Sequence, residues 1–557
     1  MSRALLFRIA AAALAFGAGC KGPATPAPEA ATSPEITESD LRRRLFAIAD
    51  DSMLGRESGS LGDSKTADYV AFEFRRLGLE PAGEQGGWFQ VLPLWTAAID
   101  PRSHIEVAGA TLEIGRDFVP SALFAPATNL DGVQVIYGGP ARDSSRWIPG
   151  EQAAGKLVVL DLPAGMPLRG LALGGRWSQA KAVALGVLES VGPETVARLR
   201  VGRPLPDTVR RNVTPLLWIS RSAANTLLGA DPATLTPGAN GLTVRGWFDI
   251  SRTPVPYPAR NVVGILRGRD PALRGEYVSL SAHNDHVGFD TFPVDHDSLR
   301  AFNRVIRKMG ADSPQRPPTD AEWVQIRRIL DSLRRVNKPR LDSIRNGADD
   351  DGSGTVALLE IAEAMSRSGA RPRRSILFVN HTGEEAGLLG SRWFTDHPTV
   401  PLDSIVAEID EDMIGRGRND DFPRGESGAA ATPSYLEVVG AKRISKEFGD
   451  SVEAANARQP LPFVFDYTYD QPGHPLQYYC RADHYSYARY GIPALALSRG
   501  EHLDYHQVTD EAQYIDYPDL ARVTRMVYTA ATVLGNMPRR PALDVPKPAD
   551  PHGACRQ

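Results

Sequence analysis

The sequence predicts an α/β protein: a mixed, mostly parallel sheet flanked by helices, with a β-rich domain inserted. Two features point there. From Ala259 onward, short apolar runs alternate with helical patterns, the signature of a mostly parallel sheet. Between about Leu130 and Ile250 the texture changes to short β-like runs separated by small and turn residues.

Taken in order, residues 1–20 have the form of an export signal. Arg3 and Arg8 give a positive start, Ile9 to Phe16 is a short apolar run, and Gly17, Ala18 and Gly19 are small residues ahead of Cys20. The pattern resembles a bacterial lipoprotein signal, which implies a lipid on Cys20. The expected location is then the periplasm or cell envelope, with plain secretion as the alternative. Residues 21–38 are rich in Pro, Ala, Thr and Ser and form a tether with little to bury. Residues 39–129 open the folded part, where Asp40 to Ile48 and Ser64 to Leu77 show helical apolar spacing.

The β-rich domain is placed at 130–252, with candidate strands Gly132 to Tyr137 and Lys156 to Leu162. It contains no histidine, which favours a packing or substrate-steering role. The main domain is placed at 253–540 and a tail at 541–557. Candidate strands are Val262 to Leu266, Tyr277 to Ser281, Ser375 to Val379, Ile405 to Ile409 and Ala494 to Ser498. Binding sites in such sheets lie beyond the carboxyl ends of the strands. Residues 289–345 interrupt the pattern. There Thr319 and Glu322 have capping-box spacing, followed by an apolar stripe through Trp323, Ile326, Ile329, Leu330, Leu333 and Val336. This predicts an amphipathic helix, either docked on the surface or acting as a lid.

Composition narrows the chemistry. The formal charge is -4, from 63 basic and 67 acidic residues, which gives no case for nucleic acid or an anionic membrane as a partner. Apart from the anchor on Cys20, no contact with a membrane is expected, since no later apolar stretch is long enough to span one. Cys20, Cys480 and Cys555 are too few for a cysteine-rich zinc site, so any metal must be held by His and carboxylates. One bridge between Cys480 and Cys555 is open.

Five clusters hold such side chains: Ser281 to His286, Gly347 to Gly354, His381 to Gly387, Asp410 to Gly415, and Asp504 to Asp510. Three successive carboxylates at 349–351 repel one another unless a cation or solvent neutralises them. They also precede a predicted helix, Thr355 to Met365, whose amino end favours negative charge. Each cluster alone is equally the raw material of ordinary ion pairs.

Together and in this order, the stretches AHNDHVG (282–288), GADDDGSG (347–354), GEEAGLLGS (383–391), DMIG (412–415), RADH (481–484) and YHQVTD (505–510) resemble peptidase family M28, the co-catalytic zinc aminopeptidases and their relatives. The β-rich part resembles, more weakly, the protease-associated domain often inserted in that family. The resemblance implies a zinc-exopeptidase (phosphorylase/hydrolase-like) fold, peptide substrates and two zinc ions. Asp350 would bridge them. His283 and Asp412 would complete one site, Glu385 and His506 the other. Glu384 would be the general base, Asp285 would support His283, Asp510 would support His506, and Tyr505 would help to stabilise the oxyanion. The acidic run 410–412 leaves the register there open by two residues.

Other chemistries fit less well. No Gly-x-Ser-x-Gly occurs, the nearest string being Ala496 to Gly500, and there is no His-Glu-x-x-His. A one-zinc glutaminyl cyclase-like transferase would lack ligands for one site, and a non-catalytic receptor would need no Glu384. Carboxypeptidase or dipeptidase action stays open, because Arg481 or Arg499 could hold a terminal carboxylate.

Overall fold

A computed structural model describes residues 32–557 apart from 121–126, 163–175, 192–195, 197–201, 207–213, 315, 370, 417–434 and 556. The export signal and the tether up to residue 31 lie outside the described residues. Among the described residues no helix is long and apolar enough to cross a membrane.

The central sheet has nine strands. Its order is Glu80–Pro81, Arg260–Leu266, Ser375–His381, Tyr277–His283, Ile405–Glu411, Ala494–Ser498, Tyr435–Val439 and Val464–Asp466, with Phe89–Val91 also paired to Arg260–Leu266. The four middle strands, from Ser375–His381 to Ala494–Ser498, run parallel, and antiparallel pairings flank them. The fold is therefore the mixed sheet that the sequence predicts.

Side-chain alternation assigns the two faces. Val278, Leu280, Ile376 and Phe378 pack with the helices Glu38–Ile48, Leu61–Arg76, Gly354–Arg367 and Tyr517–Asn536. Tyr277, Leu377 and Val379 face the other way, onto Phe394 and Tyr487. Period-two patterning thus fills both layers with one set of strands. Three strands run two residues further than predicted, through His283, His381 and Glu411. All but Ala282 of these added residues are polar, so apolar patterning does not reveal them.

The helix Gly354–Arg367 is buried from Gly354 to Met365. A Cβ at Gly354 would stand 1.9 Å from the Glu411 carbonyl oxygen. Glycine thus lets the amino end of the helix press against the strand that leads to Asp412.

A second sheet takes its strands from residues 104–248, in the order Ala110–Leu112, His104–Val107, Asn240–Phe248, Val133–Pro140, Leu157–Asp161, Ala182–Gly186, Leu216–Ile219 and Phe118–Pro120. Between residues 289 and 345, Phe289–Asp295 pairs with Leu341–Ile344 and encloses the helices His296–Asn303 and Asp320–Leu333. The capping box of Thr319 and Glu322 is formed. Val336 lies past the helix end and is 81% exposed, so it does not belong to the apolar stripe. Cys480 and Cys555 are joined by a disulfide.

Candidate metal centre

The four parallel strands deliver their following segments to one place. These carry His283, Asp285 and His286; Glu384 and Glu385; Asp412; and His506. Asp350 arrives in the turn Ala348–Ser353, just before the buried helix.

Two groups of donor atoms form. His283, Asp350 and Asp412 make one; His286, Asp350, Glu385 and His506 make the other. His283 Nε2 stands 3.3 Å from Asp350 Oδ1 and 3.7 Å from Asp412 Oδ1. On the other side, Asp350 Oδ2 lies 3.0 Å from His506 Nε2 and 3.7 Å from His286 Nδ1. Glu385 lies 2.9 Å from His506 Nε2 and 2.8 Å from His286 Nδ1. Asp350 thus turns one oxygen to each group.

The donor set fits metal ions. A tetrahedron with metal–ligand bonds of about 2.0–2.1 Å has edges of roughly 3.3 Å, close to these separations. His283 Nε2, His286 Nδ1, Asp350 Oδ2, Glu385 Oε1 and Asp412 Oδ1 are buried and, despite their proximity, have no aligned hydrogen-bond partner. Buried polar atoms without partners are costly, and here they point into shared centres.

Electrostatics agrees. Burial alone raises carboxylate pKa values, yet contacts with His283 and His506 hold Asp350 well below its ordinary range. Against burial and Asp350, His506 and His286 hold Glu385 at about 2. Burial disfavours a charged His506, but Glu385 and Asp350 raise it to about 10. Among the side chains themselves, protons on His283 and His506 offset the carboxylates; a bound cation would take over that role.

The flanking aspartates have different work. Asp349 Oδ1 accepts from Gly415 N at 2.6 Å. Asp351 accepts from His283 N at 3.0 Å, Gly354 N at 2.9 Å and Met413 N at 3.3 Å. They tie the segments bearing the donors together, and only Asp350 enters both donor groups. In the 410–412 run, Asp412 enters a donor group, whereas Asp410 accepts from Ser281 Oγ and from His484 N.

The other candidates are placed as follows. Glu384 lies beside the donors, with Oε2 3.9 Å from His283 Nε2, and its backbone N–H donates to Asp285 Oδ1. Asp285 also stands 3.6 Å from His283 Nδ1 and accepts from Ser58 Oγ. Asp510 accepts from the backbone N–H groups of Asp349 and Asp350. The Tyr505 ring stacks on His506, with centroids 4.0 Å apart. His381 points elsewhere, its Nε2 3.1 Å from Tyr487 Oη.

Two contributors escape sequence reasoning. His286 joins the second donor group; its only signal is its place three residues after His283. Arg56 is 1% exposed and donates to the carbonyls of Ile48, Asn284, Asn346 and Gly347, binding the first histidine segment to the aspartate turn. A third donor group, His296, Asp342 and Glu511, already holds a cation: Arg340 Nη2 lies 2.8 Å from Asp342 and 2.6 Å from Glu511.

Comparison with known proteins follows the geometry. Residues 261–531 match Peptidase family M28. Leucine aminopeptidase 1 of Penicillium rubens is 28% identical over 200 residues, 34% of this chain and 48% of that protein. Leupeptin-inactivating enzyme 1 of Streptomyces exfoliatus is 40% identical over 145 residues, 23% of this chain and 32% of that protein. The chain thus spans less than half the length of these relatives. Among solved structures, the aminopeptidase from Aneurinibacillus sp. strain AM-1 superposes with a TM-score of 0.52 at 14% identity, over 93% of this chain and 97% of that one. At that identity the likeness is one of fold. With two donor groups sharing Asp350 at the sheet's carboxyl edge, residues 261–531 carry the fold and the active-site pattern of Peptidase family M28.

Proposed function

We propose that the protein is a two-zinc exopeptidase that removes residues from the amino end of peptides. The observation that carries this reading is Asp350, with one carboxylate oxygen on each donor group and Glu384 alongside. His283 and Asp412 would hold one ion, and His286, Glu385 and His506 the other. His/carboxylate ligation without thiolates suits zinc. When bound, such a pair of ions lowers the pKa of water and polarises the scissile carbonyl.

The protein's own groups do the rest. Glu384 accepts a proton from the attacking water and delivers it to the leaving amine. Burial pushes its carboxyl well above the ordinary range, with Glu385 and Asp412 adding to the effect against His283. Bound cations beside it would draw it back toward the carboxylate that accepts the water proton. Asp285 orients both His283 and the Glu384 backbone. Tyr505, which lines the cleft, would donate to the developing oxyanion, and Asp510, rather than supporting His506, steadies the turn that presents Asp350.

Action at the amino end is favoured over action at the carboxyl end. Arg481 pairs with Asp312 at 2.9 Å, and Arg499 lies buried against Asp519 at 3.0 Å, so both cations are engaged. The names of the relatives also speak for an aminopeptidase. We assign the central sheet and its helices to the peptidase and the second sheet, which starts at His104 rather than near residue 130, to a protease-associated-like steering module. The signal pattern supports export with a lipid on Cys20, and the disulfide fits an oxidising compartment.

Glu384→Ala tests the central assignment. It should keep both metal ions yet lose a factor of about 10²–10⁴ in kcat, read from metal content and aminoacyl-anilide hydrolysis. An active, metal-loaded variant overturns the role of Glu384. Chelation should abolish wild-type hydrolysis and zinc should restore it. Free peptides should be cleaved and amino-blocked ones spared.

A further inference from the structure

The cleft beside the metal centre has a chemistry of its own. It encloses a cavity of about 70 Å³. Asp350, Glu384, Asp412 and His506 line it from the metal centre. Its lining also includes the apolar Met413, Val439 and Leu497 and the acidic Glu437 and Glu501. Glu437 lies on the strand Tyr435–Val439. That strand pairs with Ala494–Ser498, which pairs in turn with the strand leading to Asp412. At about 4.8 Å per strand, Glu437 is roughly 10 Å across the sheet from the metal-binding edge. A long side chain spans that distance, and a short aliphatic one does not.

The two glutamates are unlike ordinary pocket walls. Glu437 is 4% exposed and Glu501 is 7% exposed. Glu437 accepts one hydrogen bond, from Tyr435 Oη at 2.6 Å, while Glu501 lies against Tyr478, Asp312 and Arg481. Positive charge is scarce around them. Arg481 is shared between Glu501 at 3.5 Å and Asp312 at 2.9 Å, and Arg499 is turned to Asp519 and the Arg416 carbonyl. Burial raises Glu437 to about 8 and Glu501 to about 7, and these arginines do not cancel the rise. Buried carboxylates in deficit of positive charge favour a cationic guest.

We propose that this cleft receives the side chain of the substrate's first residue, and that this side chain is cationic, a lysine or arginine held by Glu437 and Glu501. The inference rests on the amino-end exopeptidase reading and adds its substrate class. Met413, Val439 and Leu497 suit the methylene stem of such a side chain and the glutamates suit its head.

Hydrolysis of lysyl, arginyl, leucyl and methionyl p-nitroanilides by the zinc-loaded full chain at pH 8 tests it. The arginyl or lysyl kcat/KM should exceed the leucyl value at least tenfold. Glu501→Gln and Glu437→Gln should each lower that ratio at least tenfold, mainly through KM, with metal content and Tm confirming that the variants fold. Equal or better cleavage of the leucyl and methionyl compounds, or an unchanged ratio in both variants, overturns the proposal. If no anilide is cleaved, the exopeptidase reading itself fails. Calorimetric titration with argininamide against leucinamide then decides the cleft: binding of argininamide at least tenfold tighter supports it, and equal or weaker binding overturns it.

Discussion

At the residue scale, Asp350 differs in kind from the other metal-type side chains. Its Oδ1 faces His283 and its Oδ2 faces His506, while Asp412 and Glu385 each serve one donor group. Asp350→Ala should therefore lose both ions and all turnover, whereas Asp412→Ala should keep about one ion per chain. Metal content by mass spectrometry after gel filtration checks this; equal content in the two variants contradicts the bridging role. His286→Ala should weaken retention of one ion, because it removes one of four donors from its group. Loss of a ligand from so small a set is far more damaging than loss of a supporting hydrogen bond.

At the scale of elements, the segment 289–345 braces the loop that carries His506. Asn303 donates to the Leu503 carbonyl, Ala311 N donates to the Tyr505 carbonyl, and the Arg300 guanidinium lies 3.7 Å from the Tyr514 ring centroid. Gly310 is the tightest point. It has φ +50°, and a Cβ there would stand 2.4 Å from the Tyr505 carbonyl oxygen and 2.8 Å from its nitrogen. Gly310→Val should displace Tyr505 and His506 together. A misplacement near 1 Å in such a site costs on the order of 100-fold in rate, so kcat/KM should fall by about that factor. Thr319→Ala, which removes the exposed cap of the helix Asp320–Leu333, should cost only about 1 kcal/mol and leave metal binding intact. Thermal melts and anilide rates on the two variants distinguish a brace for the ligand loop from a loosely attached surface helix.

At the scale of the whole molecule, acid stability depends on histidines outside the metal centre. His484 is fully buried, neither ring nitrogen has a hydrogen-bond partner, and burial, reinforced by Arg443, lowers it to about 3. The unfolded chain takes up the proton near pH 6.5. Its contribution to stability is thus complete above that pH and is lost as pH falls toward 3, by up to about 1.4 kcal/mol per unit. His381 behaves alike, lowered to about 3 by burial and by His283. His484→Phe keeps a ring against Tyr479 and removes the titration. Between pH 7.5 and 5 its loss of stability in urea melts should be about 2 kcal/mol smaller than that of the wild type; parallel losses contradict the assignment.

Much of this architecture was legible because its signals are local. Runs such as Ser375 to Val379 are apolar and end in metal-type residues, so strand and ligands announce one another. Other parts depend on partners distant in the chain. Arg56 looks like any surface arginine until four carbonyls from three segments close around it. The strand Tyr435–Val439 is interrupted by Glu437, whose burial makes sense only beside the cleft. The second sheet starts at His104, ahead of the texture change near Leu130, because its first strands are only 4 and 3 residues long and leave no periodic trace.

The two oxygens of Asp350 also bear on how the ions come and go. Occupancy of either position fixes the orientation of a group that the other needs, so the two binding equilibria are linked. Linkage is reciprocal: whatever factor the first ion imposes on the affinity of the second, the second imposes on the first. Losing the ion at one position, as through Asp412→Ala, should then change the dissociation constant measured at the other.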